Sequence, residues 1–219
     1  MPFPFLLLLL VSLLVRQTTT LRELDSSVAR WGDDHATHLS TRLLQLVTDL
    51  GDWPAVSLIG VVVVLYELHR RPNWFVVPFV VVVPLGDSLV TNAIKQLVDR
   101  ARPTLNPAAA SLGPSFPSGH SSTAAAFYAA LALILSRGRS PRVRALLIGS
   151  AAAIAAAVAS SRVLLDVHWL SDVIAGLALG WGWFALCAIA FGGRMLRFGA
   201  QAKKHAAAEA GTLGSAPSR

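Results

Sequence analysis

The chain has 219 residues, 54% of them hydrophobic and 14% charged, with a mean hydropathy of +0.57. So few charges exclude an ordinary soluble domain of this length and point to a membrane protein. The net charge of +7 does not indicate a nucleic-acid partner, because the basic residues lie between apolar runs rather than along one polar face, as juxtamembrane anchors do.

Six apolar stretches follow in order, at about 3–15, 54–68, 74–90, 121–135, 143–158 and 169–191. They show no strict alternation and are too long for strands, so helices are the spanning form they predict. Several fall short of the ~20 residues a bilayer needs, and helical turns in their flanks make up the length. Trp53, Trp74 and Trp169 stand where interfacial aromatics anchor helix ends. The first stretch has the length of a signal-peptide core but lacks a basic start and a small-x-small cleavage site, so it reads as a retained first helix. Its loss would leave the orientation of the other five unchanged.

Orientation follows from the short loops. His69, Arg70 and Arg71 lie between spans two and three, and Arg137, Arg139, Arg142 and Arg144 between spans four and five. Arg194, Arg197, Lys203 and Lys204 follow the last. By parity these segments share one side, which is cytoplasmic, and 16–53, 95–120 and 161–168 face the other. The chain therefore divides into a first transmembrane helix (1–15), an extracytoplasmic segment (16–53), a helical core (54–193) and a basic cytoplasmic tail (194–219). Within 16–53, Leu39, Leu43, Leu46 and Leu50 recur at helical spacing; such a helix either lies on the outer membrane surface or packs on the bundle. From Gln201 onward the Ala, Gly, Ser and Lys composition reads as a solvated, disordered tail. The expected fold is all-α, a polytopic membrane helical bundle of about six transmembrane helices. The lone Cys187 lies in an apolar run and reads as a packing residue.

Three polar clusters interrupt the apolar chain, all at outer ends of spans. Lys95 and Arg102 are seven residues apart, two helical turns, so both cations can project from one face. Ser118 and Gly119, directly before the fourth span, can offer a hydroxyl and backbone N–H groups at the positive end of a helix, a natural anion site. His168 and Asp172 stand at i, i+4, so the carboxylate can orient the imidazole. A phosphoryl group in transfer spreads charge over three oxygens, and Lys95, Arg102, Arg162, Ser118 and the Gly119 N–H provide a cradle for it. No carboxylate cluster is available to hold magnesium, so neither a metal nor another cofactor is expected.

The pattern K-x6-R-P, P-S-G-H and S-R-x5-H-x3-D resembles the type-2 phosphatidic acid phosphatase family, which shares its phosphate pocket with vanadium haloperoxidases. Its fixed positions stand here as Lys95, Arg102, Pro103, Pro117, Ser118, Gly119, His120, Ser161, Arg162, His168 and Asp172. The resemblance covers about residues 53–191. It implies that His168 attacks phosphorus to form a phosphohistidine, that Asp172 holds its tautomer, and that His120 protonates the leaving oxygen and later activates water. One histidine must then start neutral and the other protonated, so a bell-shaped pH profile is expected.

The resemblance also implies a lipid phosphate or diphosphate as substrate, such as undecaprenyl diphosphate, phosphatidylglycerol phosphate or phosphatidic acid, in a multi-pass cell-membrane enzyme whose site faces away from the cytoplasm. Membrane lipids are then its partners, and no obligate protein partner is inferred. A lipid phosphotransferase could use the same phosphohistidine; a vanadate haloperoxidase is disfavoured by the six spans. Among other charges, Asp99 is placed to pair with Lys95 and Arg102, Asp87 either to tune the site or to bond a neighbouring helix, and Asp166 to point away from His168. Arg100 reads as a solvated or headgroup-facing charge, and His35 and His38 as surface residues.

Overall fold

The computed structural model describes residues 19–70, 73–104, 106 and 112–213, by backbone alone beyond residue 192. The expected first helix at 1–15 lies outside the described residues. Seven helices follow among them: α1 (Thr19–Asp34), α2 (His38–Asp49), α3 (Trp53–Arg70), α4 (Val76–Val98), α5 (Gly119–Leu135), α6 (Pro141–Leu164) and α7 (Leu170–Leu213). No strand occurs among the described residues. Four helices are long and apolar enough to cross a membrane, namely α3, α4, α6 and the part of α7 up to Gly192. The fifth, α5, is apolar but has 17 residues.

That short helix is the centre of the bundle. α4, α6 and α7 all pack on it, and nearly every residue from Ser121 to Ile134 is buried. Its sequence explains the position: alanines and serines leave little side chain between helices, so backbones approach closely, as small residues permit in membranes. α7 answers with glycines. A Cβ on Gly176 would stand 2.5 Å from the Ser118 carbonyl oxygen, and one on Gly180 would stand 2.1 Å from that of Ser122. By contrast, α3 shows Leu58, Val61, Val62 and Leu65 on its outside, a face that suits hydrocarbon rather than water.

The ends of the helices carry local signals. Thr37 and Ser40 form a reciprocal capping box at the start of α2, and Ser118 and Ser140 cap α5 and α6 with their side chains. α4 tolerates Pro84, next to which the Trp183 indole N–H donates to the Val83 carbonyl at 2.9 Å. The helices run past the apolar stretches read from sequence, α4 to Val98 and α6 to Leu164. The reason is that the polar last turns face inward, into the site.

Segment 16–53 holds two described helices rather than one. α1 packs on α6 and α7 and buries Asp25, Ala29 and Gly32. α2 packs on α6 through a face that includes buried Thr48, and leaves Leu39, Leu43, Leu46 and Leu50 exposed. α2 thus packs on the bundle through one face and leaves its leucine face exposed. The backbone of α7 continues as helix to Leu213, where a solvated tail was expected; its alanine-rich sequence is a strong helix former. At the end of the bundle away from Ser118, Arg137 pairs with Glu67 at 2.7 Å, and Arg70 and Arg139 both donate to the Tyr66 hydroxyl.

The close α5–α7 approach makes a prediction. Gly176→Ala and Gly180→Ala should each destabilise the protein by about 1–3 kcal/mol, because the added methyl meets backbone that cannot step aside. Gly149→Ala, which meets nothing within 4 Å, should be neutral or stabilising. Thermal unfolding of the three variants in detergent checks both statements.

Candidate active site

The turn between α6 and α7 sets His168. The amides of Val167 and His168 both donate to the Arg162 carbonyl at 3.2 Å, so the chain doubles back on the end of α6. α7 then begins, and Asp172 falls in its first turn, where its Oδ2 accepts the Trp169 N–H at 3.0 Å. A carboxylate at that end of a helix also gains from the helix dipole.

Asp172 is fully buried, and donors surround it. Ser115 Oγ donates to Oδ2 in a short hydrogen bond, Arg100 Nη1 donates to Oδ1 at 2.5 Å, and His168 Nδ1 lies 3.5 Å from Oδ2. On the other edge of the imidazole, Arg102 Nη1 stands 3.2 Å from Nε2. A guanidinium has no acceptor, so Nε2 must present its lone pair and the ring hydrogen belongs on Nδ1, toward Asp172 and Ser115. The arrangement selects the tautomer whose Nε2 carries the lone pair. Burial pushes the His168 imidazole down to about 3, with Arg102 and Arg162 acting the same way and Asp172 opposing them. The ring is neutral around pH 7.

The cations converge here, though not as spacing alone implied. α4 stops at Val98, Asp99 turns left-handed with φ 45°, and Arg102 sits in the loop beyond rather than on the face of Lys95. The carbonyls of loop 112–114 bring the two together: Lys95 Nζ donates to Pro114 O at 2.7 Å, and Arg102 Nε to Gly113 O at 2.8 Å. Gly113 has φ +73°, which a side chain would strain. Arg102 Nη1 also donates to Val167 O at 2.6 Å, and burial draws the guanidinium below its usual range. Arg162 reaches in from α6, donates to Thr48 Oγ1 at 3.0 Å, and keeps its Nε without a partner among the described residues. A buried, unpaired guanidinium N–H beside other cations suits an anion.

Ser118 caps α5, and its backbone N–H donates to the Asp172 carbonyl at 3.0 Å, which locks the start of α5 onto the start of α7. Its Oγ accepts from Ser121 Oγ at 2.9 Å and keeps its own hydrogen to offer. Gly119 follows as the first residue of the helix. His120 Nε2 lies 2.6 Å from Asp52 Oδ1, at the more open side of the site. Asp52 follows Gly51 in the turn before α3, and a Cβ on Gly51 would stand 3.2 Å from the His120 carbonyl oxygen.

Lys95, Arg102, Arg162, Ser118, His168 and Asp172 thus come together, with Arg162 and Lys95 near His120 and with Gly119 next to Ser118 in the chain. Five partners were not foreseen: Asp25, Thr48, Asp52, Arg100 and Ser115. Arg100 is a correction, since it is largely buried between two carboxylates rather than solvated. Asp99 is exposed and makes no ion pair among the described residues; the loop carbonyls replace it as partners of Lys95 and Arg102. Asp87 bonds Ser122 and Thr123 of α5, the second of its two expected roles. His35 stacks on Trp31 at the surface.

Residues 75–196 match the PAP2 superfamily. This chain belongs to it. Among curated relatives, the PAP2 chain is 41% identical over 108 residues to the lipid A 1-phosphatase of Rhizobium etli, covering 45% of the chain and 42% of that protein. It is 29% identical over 133 residues to phosphatidylglycerophosphatase B of Bacillus subtilis, covering 51% of the chain and 66% of that protein. The chain therefore spans less than half the length of the lipid A phosphatase it matches. Among solved structures, the PAP2-type phosphatidylglycerolphosphate phosphatase of Bacillus subtilis superposes with a TM-score of 0.78 at 26% identity, over 85% of this chain and 94% of that one. Aquifex aeolicus LpxE shares the fold, with a TM-score of 0.56 at 19% identity over 75% and 94%. The family match begins at residue 75, after α1, α2 and α3, so Asp25, Thr48 and Asp52 lie outside it.

Linkage gives a pH prediction for the fold. In the unfolded chain His168 titrates at about 6.5, in the folded chain at about 3, so the unfolded state binds the extra proton in between. The stability contributed by neutral His168 is complete above about pH 6.5 and is lost as pH falls toward the folded value. Thermal midpoints in detergent should drop through that window, and His168→Gln should flatten the drop; parallel curves for the two proteins would contradict the buried neutral imidazole.

Proposed function

We propose that this PAP2 protein is an integral-membrane lipid phosphate phosphatase that passes the phosphoryl group through His168 to water without a metal. The carrying observation is the neutral, buried His168, with its Nε2 lone pair facing Arg102 and its Nδ1 edge on Asp172 and Ser115. Nε2 attacks phosphorus as the P–O bond to the lipid breaks, and His120, with Asp52 beside it, delivers a proton to the departing oxygen. Lys95, Arg102 and Arg162, with Ser118 and the Gly119 N–H, hold the three phosphoryl oxygens. Water, deprotonated by His120, then attacks the phosphohistidine and releases phosphate.

The relatives act on lipid A and phosphatidylglycerol phosphate by their names, which supports a phosphorylated lipid here; an undecaprenyl diphosphate or phosphatidic acid fits the same cradle. An extracytoplasmic site is supported by charge. Arg70, Arg137 and Arg139 gather at the far end of the bundle, where basic residues mark the cytoplasmic side. The exposed leucines of α2, adjoining Trp53, then lie at the outer interface.

Phosphate release by the purified protein in EDTA, from each of these four lipids, tests the proposal. Release should survive EDTA, vanish in His168→Ala, and fall about 10²- to 10⁴-fold in His120→Ala, with a bell-shaped pH profile in the wild type. Activity that EDTA abolishes would overturn the metal-free route. Phosphate appearing only on an added acceptor lipid would make the protein a transferase.

A further inference from the structure

Arg100 lies between Lys95 and Arg102, the fixed positions of the K-x6-R-P pattern, yet its guanidinium is among the most fully engaged in the molecule. Nη1 donates to Asp172 Oδ1 at 2.5 Å and to Ser171 Oγ at 2.8 Å, and Nη2 donates to Asp25 Oδ2 at 2.8 Å. The plane lies over the Trp169 ring at 5.5 Å. Asp25, from α1, is 2% exposed and is saturated in turn: Oδ1 accepts the Ser171 N–H at 2.9 Å, and Oδ2 accepts both Arg100 and the Ser171 hydroxyl at 2.6 Å. Two buried carboxylates thus share one guanidinium, and one of them is the partner of His168.

The charges explain what the second carboxylate does. Asp172 and His168 face Lys95, Arg102 and Arg162 as well as Arg100, an excess of positive charge around one carboxylate. A buried Arg100 with Asp172 as its only partner would draw that carboxylate's charge onto Oδ1 and leave less for the imidazole on Oδ2. Asp25 takes the other prong of the guanidinium and balances it. By accepting the Ser171 N–H, Asp25 also pins the first turn of α7, from which Asp172 projects.

We propose that Asp25, acting through Arg100, is a positioning residue for the Asp172–His168 pair, so that α1, outside the family match, is part of the catalytic apparatus. The proposal rests on the reading of His168 as nucleophile, and its test includes a readout that does not need turnover. In protein labelled with 15N-histidine, wild-type His168 should be a single tautomer with its hydrogen on Nδ1. Asp25→Asn keeps volume but turns one acceptor oxygen into an NH2 donor. Arg102 still faces Nε2, so the tautomer should persist while the Nδ1–H proton and 15N signals shift as the bond to Asp172 weakens. The same variant should lower kcat about 10- to 100-fold, the range seen for second partners of histidines in metal sites, with KM changed less than about threefold. Asp25→Glu should restore most of kcat, and Arg100→Lys, which keeps the charge but loses the fork, should reproduce the loss should Asp25→Asn fail to fold. In an Asp172→Asn background, Asp25→Asn should cost almost nothing further. An unchanged Nδ1–H signal, or a loss of equal size in that background, would overturn the proposal and leave Asp25 a purely structural ion. A shifted Nδ1–H signal in a protein inactive on every lipid would keep the positioning role and instead sink the phosphatase reading.

Discussion

Asp172 has no access to solvent, and a carboxylate there is tolerable only if protein groups replace its water. The replacements come from three places: Ser115 from the loop before α5, Arg100 from the loop after α4, and Trp169 and His168 from the turn before α7. Removing one partner of a buried ion pair costs about 3–5 kcal/mol, so these segments must arrive together. Much of the site follows from that requirement. The backbone of the same residue accepts the Ser118 N–H, which brings the start of α5 to the start of α7.

Packing and chemistry use the same residues at this junction. The glycines of α7 that let it close on α5 meet Ser118 and Ser122, so helix approach and the position of Ser118 are one constraint. Deeper in the bundle the polar contacts are few and self-contained, as where Asp87 bonds Ser122 and Thr123. That is what a low-dielectric surrounding demands of a charged group. Toward the site the polar groups no longer cancel pairwise. Arg162 keeps an unpaired N–H, and the surplus of cations over carboxylates becomes the attraction for an anion.

The part of the chain before the family match closes the site from outside. α1 supplies Asp25, α2 supplies Thr48 to Arg162, and the turn before α3 supplies Asp52 to His120. Each contacts a different member of the cluster, so the segment touches Arg100, Arg162 and His120 in turn. The exposed leucines of α2 lie on the same short helix as Thr48, which ties one wall of the site to the apolar surroundings of the bundle.

The sequence by itself determined whatever depends on neighbours along the chain. His168 and Asp172 are four apart around a helix start, Ser118 is a cap, and the length and apolarity of the runs make helices in a bilayer; local geometry forces all three. Placing Lys95, Arg102 and Arg162 in one cradle was legible too, because buried cations at the same end of an apolar bundle have few other uses. What only the tertiary structure decided were pairings between residues remote in sequence. Asp25 with Arg100, Asp52 with His120 and Thr48 with Arg162 have no periodicity linking them, and each residue alone looks like an ordinary surface polar group. Arg100 reads as solvated until α1 is laid against the start of α7, which buries it between two carboxylates. Such partners are chosen by helix packing, and no spacing rule along a single helix carries that information.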